Sequence, residues 1–415
     1  MPDTVSPGLG AFNEEELLAT ARRVLPAGGF GNVSHPTIVA RGQGCRVWDV
    51  AGREYIDYLL GSGPMIVGHA HPEVLEVTQA CVADGTTFFA NNPYGILLAA
   101  EIVDAMACVE QVRYVSSGSE ADMYAIRLMR AHSGKDKVLK FEGGYHGMSD
   151  WGLISTTPKR VTNFPEGVPD SAGIPKSVQQ EMLVAPYNDL ATVRALVKEH
   201  KDDLAGIIVE PFQRLIPPEP GFLEGLRKLT EEFGVLLCFD EVVTGFRFAY
   251  GGAQEYYGVV PDICTMGKAI GGGFPLGAIV GEDKYMHQVG TLSGNPVAAA
   301  AGLKTLEILK RPGGYKRMFD HGKALMDGYT ASIKKHGVTA QVVGDAPMFD
   351  IVFNDKRVID YRSAIGDAAL MAKYNQGMRK RGILKSEGKH YMAHAHTDTD
   401  IEDTLRAFDE TMAEL

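Results

Sequence analysis

The chain lacks the marks of several large function classes. Its five cysteines, Cys45, Cys81, Cys108, Cys238 and Cys264, are odd in number and scattered, with no C-x-x-C pair. Neither a disulfide frame nor a zinc site is expected from them. No apolar run approaches the roughly 18 to 20 residues of a membrane span, and Met1 to Glu16 is polar and acidic with no apolar core, so no membrane partner is expected. Basic residues are in deficit: 41 Lys and Arg stand against 52 Asp and Glu, a net charge of -11 that argues against a nucleic-acid partner. Internal repeats and low-complexity tracts are missing too. What remains is an ordinary globular mixture, 45% hydrophobic and 22% charged over 415 residues, enough for two or three domains. A soluble, cytoplasmic protein is expected.

The middle of the chain alternates strand-like and helix-like segments, the pattern of an α/β domain with a mostly parallel sheet. Val112–Ser116, Lys137–Phe141, Leu204–Glu210, Val235–Asp240 and Ile263–Met266 read as strands. Their continuous apolar runs suit strands covered on both faces. Ser119 to His132 reads as a helix capped by Ser117 or Ser119, with Glu120 and Asp122 in the first turn and Gly134 as its stop. Asn295 to Lys310 is a long Ala/Leu-rich helix, closed by the breaker Arg311-Pro-Gly-Gly314. Three parts follow: residues 1–60, with a hairpin signal at Ala51-Gly52, packing with the C-terminal domain; a large domain, 61–314; and a small α+β domain, 315–415.

Lys268 and Asp240 each end an apolar strand, Lys268 before Gly271-Gly-Gly273. A partly desolvated lysine is a usable nucleophile and can later move a Cα proton, and a buried carboxylate needs a cationic partner. Together they point to pyridoxal phosphate, with Lys268 forming a Schiff base and Asp240 pairing with the protonated ring nitrogen. The rival reading of Leu236–Glu241 as the magnesium strand of a P-loop NTPase needs G-x-x-x-x-G-K-[ST]. Asp262 stands where its first glycine should be and Ala269 follows the lysine. Ser117-Gly-Ser119, between strand and helix, suits a phosphate or serves as a plain cap. In Gly143-Gly-Tyr-His-Gly147, Tyr145 could stack on a cofactor ring and His146 flank it, or both could be ordinary loop residues.

These blocks in this order, with Gly61-Ser-Gly-Pro-Met-Ile-Val-Gly-His-Ala-His-Pro72, Val209-Glu-Pro211, Phe239-Asp-Glu-Val-Val-Thr-Gly-Phe-Arg247 and Gly290-Thr-Leu-Ser-Gly-Asn-Pro296, resemble the class III aminotransferases of the fold type I PLP enzymes. The resemblance is nearest to the glutamate-1-semialdehyde aminomutase branch. It implies a PLP-dependent fold with a large, mostly parallel domain and a smaller α+β domain. It also implies Val242 on one ring face and Tyr145 on the other, Gly118 and Ser119 at the phosphate, Glu210 near the phenolic oxygen or the substrate, and a homodimer in which Thr291 reaches the partner's phosphate.

The chain departs from the aminomutases where they bind substrate. Leu25–Pro36 is shorter than their loop and lacks its arginine, and Ser62 stands where they carry a tryptophan. Arg214 is the candidate clamp for an anionic group, with a solvated loop arginine as the plain alternative. Lys389-His-Tyr-Met-Ala-His-Ala-His396 is rich in histidine, with His394 and His396 expected on one strand face, and no metal is expected. The expected reaction is transfer of the amino group of a small, anionic primary amine. The alternative is an ammonia-lyase or aminomutase acting on an amine bearing a carboxylate or phosphonate.

Overall fold

The structure, a computed structural model, describes residues 12–31, 33, 35–286 and 294–415. Three sheets form among them. The central one has seven strands in the order Gln111–Val115, Gly277–Gly281, Ile263–Met266, Leu236–Asp240, Leu204–Val209, Lys137–Phe141 and Met182–Ala185. Gly277–Gly281 is antiparallel to both neighbours, and the pairs beyond it are parallel.

Period-two alternation sorts each strand between two cores. Leu237, Phe239, Ile207 and Val209 join one apolar cluster with helices Leu190–Glu199 and Phe222–Phe233. Leu236, Cys238, Ile208 and Val138 join the other, against helix Gly118–Ser133. That helix has Ser117 as its cap, its side chain accepting from the Glu120 N–H, and Gly134 at φ 69° as its stop. Asp240 shares the parity of Leu236 and Cys238, so its side chain turns toward this helix.

The ends of the chain meet. Arg46–Asp49 and Glu54–Asp57 form the hairpin around Gly52, and Ile383–Leu384 pairs in parallel with Ile56 and Asp57. A third sheet joins Gln341–Asp345, Met348–Val352 and His390–Tyr391. Two contacts fasten the C-terminal segment to the central sheet. Arg362 grips Glu142 through two hydrogen bonds of 2.6 and 2.9 Å, and the Tyr361 ring lies where a Cβ on Gly143 would stand. No helix among the described residues is long and apolar enough to cross a membrane.

Helix Pro296–Leu309 is buried along most of its length and backs the single 3-10 turn Lys268–Gly271. The contact is close because Gly302 has no side chain: a Cβ there would run into the Ile270 carbonyl. Gly302→Val should therefore cost about 1–3 kcal/mol of overpacking strain. The expected result is a lowered thermal midpoint together with a displaced Lys268 turn, read as altered reactivity of the Lys268 amine toward an added aldehyde. An unchanged midpoint would show that the helix can slide away from the turn.

Candidate active site

The C-terminal ends of the parallel strands converge on a cavity of about 370 Å³. Ser62, Ser117, Gly118, Ser119, Tyr145, Glu210, Arg214, Asp240, Val242 and Lys268 all line it. Of the residues singled out in the sequence, His146 does not face the cavity. It lies behind Asp240, buried, its Nδ1 2.8 Å from Asp240 Oδ2. Thr291 falls outside the described residues.

Asp240, 4% exposed, is held from several sides. Its Oδ1 accepts from the Val242 N–H at 3.1 Å and lies 3.4 Å from the Thr265 hydroxyl. That hydroxyl donates to Asp122 Oδ1 at 2.6 Å. Donor and acceptor atoms of Asp122, His146 and Asp240 lie within 4.8 Å of one another. Burial, then the Asp240 charge, pushes the Asp122 carboxyl well above the usual carboxylate range. The sequence places Asp122 with Glu120 in the first turn and gives it no part in the site. The signal against that was its place in the buried stripe Asp122, Ala125, Ile126, Met129.

Lys268 follows Gly267 and adopts φ 50°, a left-handed conformation that costs a non-glycine residue about 1–2 kcal/mol. Neighbouring glycines make the room around it. A Cβ on Gly118 would stand 2.8 Å from a Val242 methyl, and one on Gly63 would stand 3.5 Å from Lys268 Cδ. Gly118 opens the helix N-terminus, where N–H groups are free to meet a phosphate.

Two further residues enter from the C-terminal sheet. Lys389 and Tyr391 line the cavity, whereas His390 between them turns inward to Asp350 and Tyr329. Arg247 is fully buried, donating to the Gly63 carbonyl at 2.5 Å and the Met392 carbonyl at 2.7 Å. His394 and His396 do not share a strand face. They lie beyond the strand, His396 stacked on Tyr58 at 4.5 Å and His394 edge-on to Tyr315 at 5.5 Å. A second lysine, Lys140, is wholly buried behind the site, its Nζ donating to the Gly152 and Ile154 carbonyls. Burial lowers that amine to about 7.

The chain is similar to known proteins in sequence and in fold. The family model described as Aminotransferase class-III matches residues 30–405. An omega-transaminase from Sphaerobacter thermophilus superposes with a TM-score of 0.92 at 32% identity, covering 98% of each chain. A transaminase solved with PLP bound gives 0.89 at 29%, covering 97% of this chain and 98% of that one. A glutamate-1-semialdehyde aminomutase from Pseudomonas aeruginosa gives 0.88 at 23%, covering 97% and 94%, a likeness of fold.

The two buried carboxyls should respond oppositely to the same change. Because its folded pKa is raised, Asp122 destabilises the fold progressively as pH climbs from the ordinary carboxylate range toward that raised value. Asp122→Asn removes this penalty and keeps an acceptor for Thr265. Thermal scans above neutral pH should show an equal or higher midpoint, with turnover changed only a few-fold. Asp240→Asn should fold but lose turnover by orders of magnitude. Equal losses in the two variants would mean that Asp122, not Asp240 alone, carries charge in catalysis.

Proposed function

The chain belongs to the class III aminotransferases, enzymes that work with pyridoxal phosphate, and we propose that it moves the amino group of a small, anionic primary amine to a 2-oxo acid. The observation that carries the reading is the meeting, around one cavity, of the buried Asp240–His146 pair, the Lys268 amine and the open N-terminus of helix Gly118–Ser133. The residues fit the cofactor. Gly118 and Gly147 leave a cradle that a Cβ would fill, at Val242 and Ser119 respectively.

Pyridoxal phosphate, when bound, supplies an aldehyde carbon for the amine nitrogen and a protonated pyridine that stabilises the electron pair left at Cα. Asp240 would accept the ring N–H and keep its proton in place. His146 fixes the orientation of that carboxylate from behind. Val242 methyls and the Tyr145 ring would bracket the flat face, and the Ser117–Ser119 N–H groups and hydroxyls would hold the phosphate. Glu210, whose oxygens accept from the Tyr145 and Arg214 N–H groups at 3.1 and 2.8 Å, would stand near the phenolic oxygen or the substrate. Lys268 would hold the cofactor through its amine, and the same amine would be the base that carries the Cα proton. Its left-handed turn, packed against Gly302, keeps the amine aimed at one place.

A homodimer with shared sites in the cytoplasm belongs to the same reading. Leu75, Val82, Phe88, Phe89, Ile96 and Leu97 leave an apolar layer exposed on and between helices Pro72–Asp84 and Pro93–Ala105. Asn92, at the start of the second helix, donates to the Gly294 carbonyl at 2.7 Å, three residues beyond Thr291. Gly294 thus lies beside the layer a second copy would cover.

Lys268→Ala should abolish turnover and the borohydride-sensitive visible band. An active variant would overturn the assignment. The wild type should release carbonyl product only when pyruvate or 2-oxoglutarate is supplied. Ammonia released without an acceptor would favour a lyase instead. Native mass should be that of a dimer or a multiple of one, and Thr291→Ala should weaken cofactor retention without changing that mass. A fully active monomer would refute the shared site.

A further inference from the structure

Two cations of the cavity wall have no carboxylate of their own. Lys389 and Tyr391 flank the inward-turned His390, and Met348, paired with Tyr391 in register, lines the cavity beside them. Arg214 enters from the other wall, at φ 61° one turn after the strand Leu204–Val209, its guanidinium 5.4 Å from the centre of the Tyr145 ring. Neither Lys389 nor Arg214 makes an ion pair among the described residues. Glu210 is the nearby acid, and its two oxygens are taken up by backbone N–H groups. The phosphate end of the cavity has its own donors at the helix N-terminus. Two positive charges facing one small cavity repel each other unless an anion joins them.

We propose that Lys389 and Arg214 together bind the acidic group of the substrate amine, and that the pair selects a doubly charged phosphonate over a singly charged sulfonate or carboxylate. The inference rests on the amino-transfer reading above. A guanidinium offers two parallel N–H donors to two oxygens, and the ammonium adds a point charge on the third. Ser62 and Tyr391 line the same cavity.

The electrostatics agree. Burial, with the Arg214 and Lys268 charges, lowers the Lys389 amine against the opposing pull of Tyr391 and Glu210. Burial raises the Tyr391 phenol, but Lys389, Lys268, Ser62 and Arg247 outweigh it and hold the phenol below its ordinary value. A bound dianion relieves the first shift by supplying the missing counter-charge.

The test uses amines of one chain length on the holoenzyme: 2-aminoethylphosphonate, 2-aminoethylsulfonate and 3-aminopropanoate, with propylamine as the neutral member. Each is followed by loss of the cofactor's visible band. Phosphonate and sulfonate share a shape and differ in charge. The proposal expects phosphonate to react with the highest kcat/KM. Lys389→Met should raise its KM roughly tenfold to a hundredfold and collapse its advantage over propylamine, and Lys389→Arg should recover most of both. The thermal midpoint and visible band of each variant separate misfolding from lost recognition. Calorimetry of the wild type with methylphosphonate and methanesulfonate needs no variant, and tighter phosphonate binding is expected. Equal binding of the two anions, or an unaltered ratio in Lys389→Met, overturns the proposal. If no amine alters the band while methylphosphonate still binds more tightly, the subsite stands and the amino-transfer reading falls.

Discussion

A carboxylate buried at the end of a central strand governs the rest of the molecule. Removing an ionised carboxyl from water costs several kcal/mol unless partners surround it. Asp240 is placed there by strand parity, and the fold answers with His146, the Val242 N–H and Thr265. Asp122 shows the consequence: burial, then the nearby Asp240 charge, pushes this second carboxyl well above its usual range. The charge that is kept calls for a cationic ring, and the cavity in front of it has the size and the donors for one.

The framework was legible because the strands are covered on both sides and read as unbroken apolar runs. Ser117 and Gly134 bound their helix as cap and stop chemistry requires, and Lys268 and Asp240 stood out as polar residues at the ends of apolar strands. The missed residues depend on three-dimensional phase. Asp122 meets Asp240 only because the buried stripe of a helix and the even face of a strand point at each other. Tyr391 belongs to a two-residue strand, His390–Tyr391, with Lys389 just before it; the strand is too short to show a period, and His394 and His396 lie beyond its end.

The cavity is also a seam. Asp240, Lys268 and Arg214 come from the central sheet or the loops that follow its strands, whereas Lys389, Tyr391 and Met348 come from the C-terminal sheet. Arg247 crosses between them, bonding the carbonyls of Gly63 and Met392, residues far apart in sequence. Arg362 on Glu142 makes a second crossing near the Tyr145 loop. A mutation far down the chain can therefore reshape the site without touching a residue that meets the cofactor.

Lys140 carries a different lesson, about chemoselectivity. Burial lowers its amine to about 7, toward the unprotonated form that attacks aldehydes. By nucleophilicity alone it would rival any lysine in the chain. It is disqualified by enclosure: the amine sits in a socket of carbonyls with no opening to the cavity. Which lysine an aldehyde finds is decided by access: the burial that lowers the Lys140 amine also shuts aldehydes out, and a substitution that unsealed the Gly152–Ile154 stretch would return the amine toward its ordinary, protonated range as it admitted them.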